Sequence, residues 1–232
     1  VNLGLGLRLR SVSITGAGGG GSSIPLSGLS LWLKADAGVT LDGSDVLVWA
    51  DQSVNGNNFT ANAGSAIKAN NIIGSNPSIL FDGANLIGND IVTAKTIYAV
   101  IKTLATSAQQ YAAILEVTGG SLYSAISGTE WGSYYGAESS SGQTIPTETA
   151  AIIATLSDDG VSYELRRDGQ QIVSSTEGVG FTSRSAAYIG SDSSAGQPAN
   201  VYISEIIVYN RVLISAEIQQ VEAYLNAKYA IY

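Results

Sequence analysis

The sequence contains no histidine, no cysteine and no methionine, and only 13% of its 232 residues are charged, about half the usual share of a globular protein. Without histidine there is no Ser-His-Asp triad, no imidazole base and no HExxH zinc helix. Without cysteine there is no thiol nucleophile, disulfide, zinc knuckle or iron–sulfur cluster, and no redox compartment is excluded. Carboxylate, lysine, tyrosine and hydroxyl groups are what remains for chemistry. Long hydrophobic runs are missing too: nothing approaches the roughly 18–20 apolar residues of a membrane span, so no membrane insertion is expected. Gly and Arg interrupt the leucines at the N-terminus, and no signal-peptide core forms there. With no methionine even at position 1, the first residue is expected to be one left by processing.

What is present suits a folded, acidic body. Hydrophobic residues make up 45% of the chain, enough to bury a core, and the 11 Lys+Arg against 19 Asp+Glu give a net charge of −8. No basic stripe accompanies that balance, which argues against nucleic acid as a partner.

The N-terminal residues stand apart. Leu3, Leu5, Leu7 and Leu9 alternate with Gly4, Gly6, Arg8 and Arg10, the period of a strand with one apolar face. A Gly/Ser tract, Gly16–Ser23, follows with the composition of a flexible tether. Such a strand is unstable alone and needs a sheet edge or groove to accept it. Residues 1–23 therefore read as an extended arm and residues 24–232 as the domain it carries. Arg8, Arg10 and Lys34 give residues 1–35 a charge of +3, whereas residues 36–232 hold 8 bases and 19 acids, or −11. Leu3, Leu5, Leu7, Leu9, Arg8 and Arg10 are the candidate anchor, with copies of the same chain or other proteins of an assembly as partners.

From residue 26 the chain reads as strand after strand. Apolar or alternating runs at 29–35, 46–50, 78–81, 95–104, 110–117, 121–126, 131–136, 149–156, 161–167, 170–175, 186–190 and 200–209 are separated by Ser, Asn, Gly and Asp clusters, as an all-β sandwich requires. Asp168-Gly169 predicts a type I′ hairpin turn, with Tyr163 and Leu165 facing in and Glu164 and Arg166 facing out. Trp32, Trp49, Tyr202, Ile206 and Val208 are predicted core residues. One helix is expected at the C-terminus, with Ser215 as N-cap and Ile218, Val221, Tyr224, Leu225 and Tyr229 at helical spacing.

Three segments together resemble the laminin-G-like branch of the concanavalin A-like lectin/glucanase superfamily. They are LWLKAD (31–36) with VWADQSVNGNN (48–58), the YELRRDGQQIV hairpin (163–173), and Tyr188-Ile189-Gly190 followed by VYISEIIVYNRVLISAEIQQVEAYLNAKY (201–229). The resemblance covers residues 26–232 and implies a jelly-roll sandwich of two antiparallel sheets with one C-terminal helix. Lectins, adhesion modules, glucanases and phage virion proteins share that fold, so it leaves function open. A C-terminal block of this kind joined to a Gly-rich arm is similar to bacteriophage structural proteins, of capsid decoration or of tail and fibre.

Glucanases of the resembling superfamily carry Glu-x-Asp-x-x-Glu on one strand. None of the nine Glu residues here is followed two positions later by Asp, and no enzyme activity is expected. The oxygen-rich loop Asp51–Asn58 has the donors Ca²⁺ prefers, with Asp36 or Asp42 as further charged ligands beside Asp51. The alternative is that Asp51 and Asn55 bind their own loop backbone as Asx-turns, and no other cofactor is expected. Trp131, Tyr134 and Tyr135 with Glu130 form a candidate contact for a host-surface glycan, rings stacking on sugar faces; Trp131 can equally fill the core. The resulting expectation is a non-enzymatic virion protein displayed on the particle exterior. The alternative is an extracellular carbohydrate-binding or adhesion module of a secreted bacterial protein.

Overall fold

Alternating apolar runs can bury one face only by pairing edge to edge, and nearly the whole body is antiparallel sheet. A computed structural model describes residues 23–89, 91, 94–104, 112–117, 120–125, 130–134, 138–144, 151–158, 161–175, 186–192, 196 and 198–232. Its strands begin with Leu29–Lys34 (β1), Val39–Asp42 (β2), Asp45–Trp49 (β3), Phe59–Ala63 (β4), Ile67–Ile73 (β5) and Asn76–Asp82 (β6). Asn85–Gly88 (β7), Thr96–Thr103 (β8), Ala112–Val117 (β9), Gly120–Ala125 (β10), Glu130–Tyr134 (β11) and Glu138–Thr144 (β12) follow. Ile152–Asp158 (β13), Tyr163–Arg167 (β14), Gln170–Ser175 (β15), Ala187–Ile189 (β16) and Asn200–Tyr209 (β17) lead into one helix, Ser215–Tyr229 (α1).

The pairings resolve into two sheets. In the first, β15–β14–β13–β8–β17 lie side by side, and β17 meets β6 along 200–203 and β1 from Glu205 onward, with β5 beyond β6. The second runs β2–β3–β4–β7–β16–β9–β10–β11–β12. Among the described residues they meet at the rim where Asp45 stands opposite Ile67, flanked by Val46 N to the Ala66 carbonyl and Lys68 N to the Ser44 carbonyl. Leu31, Leu33, Ile97, Ala99, Ile206 and Val208 of the first sheet pack against Trp49, Phe59, Leu86, Leu115 and Ile189 of the second. This is the expected sandwich, all-β with one C-terminal helix.

The first sheet is buried on its other face as well. Tyr98, Val100, Ile153, Ile207 and Tyr209 lie under Ile218, Val221, Leu225 and Tyr229 of α1. Burial on both faces is why TIYAVIKT and NVYISEIIVY read as continuous apolar runs rather than alternating ones. In β17 the inner face holds Val201 and Ile203, then Ile206 and Val208, because a bulge between Ile203 and Glu205 adds one residue and inverts the parity. Tyr202, expected to share a face with Ile206 and Val208, is for that reason half-buried on the opposite side. Trp49 is fully buried as predicted, but Trp32 is only half-buried, on the helix-covered face.

Local signals fare well where they are short-range. Asp168 and Gly169 both take positive φ, 51° and 77°, as a type I′ turn demands. Leu165 is buried and Tyr163 half-buried against the inner core. The helix starts one residue away from expectation: Ile214 is the N-cap and Ser215 the first helical residue. Glu217 Oε2 accepts from the Ile214 N–H at 3.2 Å, and both its oxygens are held by the Arg211 guanidinium at 2.6 and 2.7 Å.

Candidate functional site

Strand β1 pairs β17 on one side, and the loop Asp51–Asn58 occupies its other edge. Asp51 Oδ1 accepts from Trp32 N at 2.9 Å, the Gln52 N–H donates to the Trp32 carbonyl at 2.7 Å, and Asn57 Nδ2 donates to the Ser30 carbonyl at 2.9 Å. Asn55 Nδ2 reaches the Leu29 carbonyl at 2.8 Å. Side chains here do what a neighbouring strand would do, satisfying an otherwise open edge.

Asp51, the calcium candidate, already serves the loop in this structure. Asp51 Oδ1 also accepts from Ser53 N (2.8 Å), and Oδ2 from Ser53 Oγ (2.6 Å) and Asn57 N (3.0 Å), so both carboxylate oxygens are engaged by the loop and by β1. Asp36 is ion-paired with Lys228 at 3.0 Å, and Asp42 is exposed at the end of β2. The expected grouping of Asp51 with Asp36 or Asp42 does not assemble: among the described residues no three acidic side chains gather as a metal group. The Asx-turn alternative describes Asp51, whose side chain caps Ser53 N two residues on, although the Asn55 side chain bonds the β1 carbonyls and Ser53 Oγ instead of its own loop's backbone.

Two buried carboxylates fasten α1 to the sheet. Glu205, 1% exposed, sits where the β17 bulge turns it toward the helix. It accepts from Trp32 Nε1 (2.6 Å), Tyr224 Oη (3.0 Å), Lys228 Nζ (2.8 Å) and Tyr229 Oη (2.8 Å). Glu222 takes a two-pronged contact from Arg166, Nε to Oε1 at 2.7 Å and Nη2 to Oε2 at 3.1 Å. Arg166, expected to face solvent, instead spans Glu222, Glu164 and the Gly169 carbonyl. Sequence reading missed both networks because their partners lie far apart in the chain.

Burial, followed by the nearby carboxylates, pushes the phenols of Tyr98, Tyr224 and Tyr229 well above the ordinary tyrosine value of 10.0. Burial likewise raises Tyr209. An unfolded chain then releases these protons first, so stability is full below about pH 10 and falls as pH rises beyond it. Alkaline titration followed at 295 nm is expected to show these tyrosines ionising in one step together with loss of near-ultraviolet circular dichroism. Independent ionisation near pH 10 with the fold intact would contradict this environment.

The root of the arm is equally well fixed. Ile24 is buried in the helix layer. Gln220 Nε2 donates to the Ser23 carbonyl, Tyr209 Oη to the Pro25 carbonyl at 3.0 Å and Arg211 Nε to the Ser27 carbonyl at 2.9 Å. The anchor candidates Leu3, Leu5, Leu7, Arg8, Leu9 and Arg10 lie outside the described residues, as does Tyr135. Glu130, Trp131 and Tyr134 fall on β11, where Glu130 pairs Thr144 and Tyr134 pairs both Ser121 and Glu138. A register shift between Glu130 and Gly132 spans Trp131; the side chains of these three also lie outside the described residues.

No family model matches the chain, and no curated protein matches it. Solved structures do share its fold. A Trypanosoma rangeli sialidase in complex with sialic acid superposes with a TM-score of 0.59 at 18% identity, over 88% of this chain and 34% of the sialidase. The binding domain of Paraclostridial Mosquitocidal Protein 1 gives 0.64 at 12% identity, over 87% of this chain and 53% of that one. Domain 4 of an extracellular arabinanase from Geobacillus stearothermophilus, in complex with arabinotriose, gives 0.61 at 15% identity, over 84% and 98%. The chain thus spans about a third of the sialidase and about half of the mosquitocidal protein's chain. At these identities the likeness establishes the β-sandwich fold.

Proposed function

We propose that the chain is a non-enzymatic display protein of a bacteriophage particle, anchored by residues 1–23 and presenting the sandwich of residues 24–232 on the virion exterior. The observation that carries this reading is the arm's root. Three side-chain bonds and the buried Ile24 tie residues 23–27 into the layer between α1 and the sheet, so a pull on the arm acts on the packed body. The alternating leucines supply the apolar grip and Arg8 and Arg10 the pairing with acidic neighbours; four buried leucines contribute several kcal/mol at about 25 cal/mol per Å² before ordering costs. Repetition around a symmetric particle adds avidity. The buried carboxylates Glu205 and Glu222 are committed to holding the helix, which supports binding over chemistry. A glycan at β11, around Glu130, Trp131, Tyr134 and Tyr135, is the proposed ligand.

One observation favours a second reading, an adhesion module of a secreted bacterial protein. The arabinanase domain that this chain matches over 98% of its length is described in complex with arabinotriose. Full-length chain and a Leu5→Asp/Leu7→Asp variant, sedimented with virions from the same source, separate the two. Co-sedimentation lost in the variant supports the anchor. A monomeric wild type that ignores virions but binds immobilised arabino-oligosaccharides supports the second reading.

A further inference from the structure

We infer that the outer edge of β2 accepts residues 3–9 of a second copy of this chain as an added strand, an inference that rests on the anchor reading above. Among the described residues β2 pairs with β3 alone, and none of the described loops bonds its outer edge as Asp51–Asn58 bonds β1. The Gly38 carbonyl accepts from Ala50 N at 2.8 Å, so alternation turns the N–H and C=O of Val39 and Leu41 away from β3. Neither lysine nor proline guards this strand, and Leu41 is 39% exposed. Natural proteins usually blunt such an edge.

Register says what would fit. Val39 stands opposite Trp49 and Leu41 opposite Val46, and Trp49 and Val46 both face the core between the sheets. Val39 and Leu41 therefore lie on the inner face at the sandwich's open rim. A strand added beside them needs large apolar residues on the inner face and small or polar ones on the outer face. Leu3, Leu5, Leu7 and Leu9 against Gly4, Gly6, Arg8 and Arg10 have that pattern. Asp42 and Asp45 stand at the end of β2 and the start of β3, opposite in charge to the arm's two arginines, and residues 1–35 hold no acid to repel them. The donor is assigned to a neighbour on placement: Ser23, the arm's root, bonds Gln220 on the helix-covered side, whereas β2 belongs to the other sheet. The thirteen residues 10–22 between that strand and Ser23 extend to about 45 Å, enough to cross to an adjacent molecule.

The absence of cysteine makes the contact directly mappable. Full-length Leu5→Cys or Leu7→Cys chains are mixed with full-length Leu41→Cys chains and oxidised, with Gln219→Cys, exposed on α1, as the comparison site. The expected result is a disulfide-linked heterodimer at Leu41→Cys several times more abundant than at Gln219→Cys. Leu41→Pro, which removes only an outward N–H and spares the β2–β3 ladder, is expected to reduce the assembly mass by light scattering while the melting temperature holds. Equal cross-linking at both sites, or assembly unchanged in Leu41→Pro, overturns the β2 assignment and leaves the anchor reading standing. A disulfide within one Leu5→Cys/Leu41→Cys chain at high dilution overturns the second-copy donor. Wild-type chains that neither self-assemble nor co-sediment with virions overturn both.

Discussion

Replacing Glu205 with alanine is expected to cost about 3–5 kcal/mol, the usual penalty for removing one partner of a buried ion pair, and to lower the melting temperature by roughly 10 °C for a domain of this size. The carboxylate accepts four hydrogen bonds, and its side chain is fully buried. Its loss leaves the Tyr229 hydroxyl with only the long 3.4 Å contact to the Ser204 carbonyl and leaves Lys228, 17% exposed, with Asp36 alone. The cost is local to the seam between α1 and the sheet, so the helix should detach before the sandwich opens. Glu205→Gln keeps the volume and an acceptor for Trp32 Nε1 but loses the charge facing Lys228, and is expected to fall between alanine and wild type. A Glu205→Leu/Lys228→Met pair removes both charges together and should cost less than Glu205→Ala, because no ion is left unpaired. Thermal unfolding by circular dichroism ranks the variants. An alanine variant within about 1 kcal/mol of wild type would mean the carboxylate is solvated, as surface pairs are.

That seam also marks where the sequence stops being readable. Ile218, Val221, Leu225 and Tyr229 reveal the helix and its buried face by spacing alone. Nothing in the spacing reveals that Glu205 lies under it, since a plain alternation through YISEIIVY has no way to register the added residue at the bulge. The same bulge is what put Tyr202 on the wrong face. Strands with a long apolar run, such as β8 and β17, were legible because both of their faces are covered. Strands β2, β4, β5, β7 and β12 were not: FTANA, IKANNII and ESSSGQT carry little alternation, and their register shifts break what there is. They are strands because neighbours impose it. The Asp51–Asn58 loop shows the same limit from the other side. Its chemistry was visible as a cluster of oxygen and amide groups, while its partner, the backbone of β1 some 26 residues away, could be found only in three dimensions.

Gly190, in the Tyr188-Ile189-Gly190 segment that contributed to the resemblance, carries the second large effect. It takes φ +89°. A Cβ there would run into the Phe81 ring and lie 2.7 Å from the Ala84 carbonyl oxygen. The residue cannot slide away, because its N–H donates to the Ile114 carbonyl at 3.1 Å and its own carbonyl accepts from Ala199 N at 2.8 Å. Gly190→Ala is therefore expected to incur about 1–2 kcal/mol of backbone strain and a further 1–3 kcal/mol of overpacking, visible as a lower midpoint in urea. Gly83 isolates the first cost from the second: its φ is +71°, yet a Cβ there meets nothing within 4 Å. Gly83→Ala should show the backbone strain alone. If the two substitutions cost the same, positive φ is the whole requirement at Gly190. If Gly190→Ala costs the larger amount, the glycine is there because β16, Phe81 and the β6–β7 turn close on one another at that point, and the two sheets are held at a spacing that admits no methyl group.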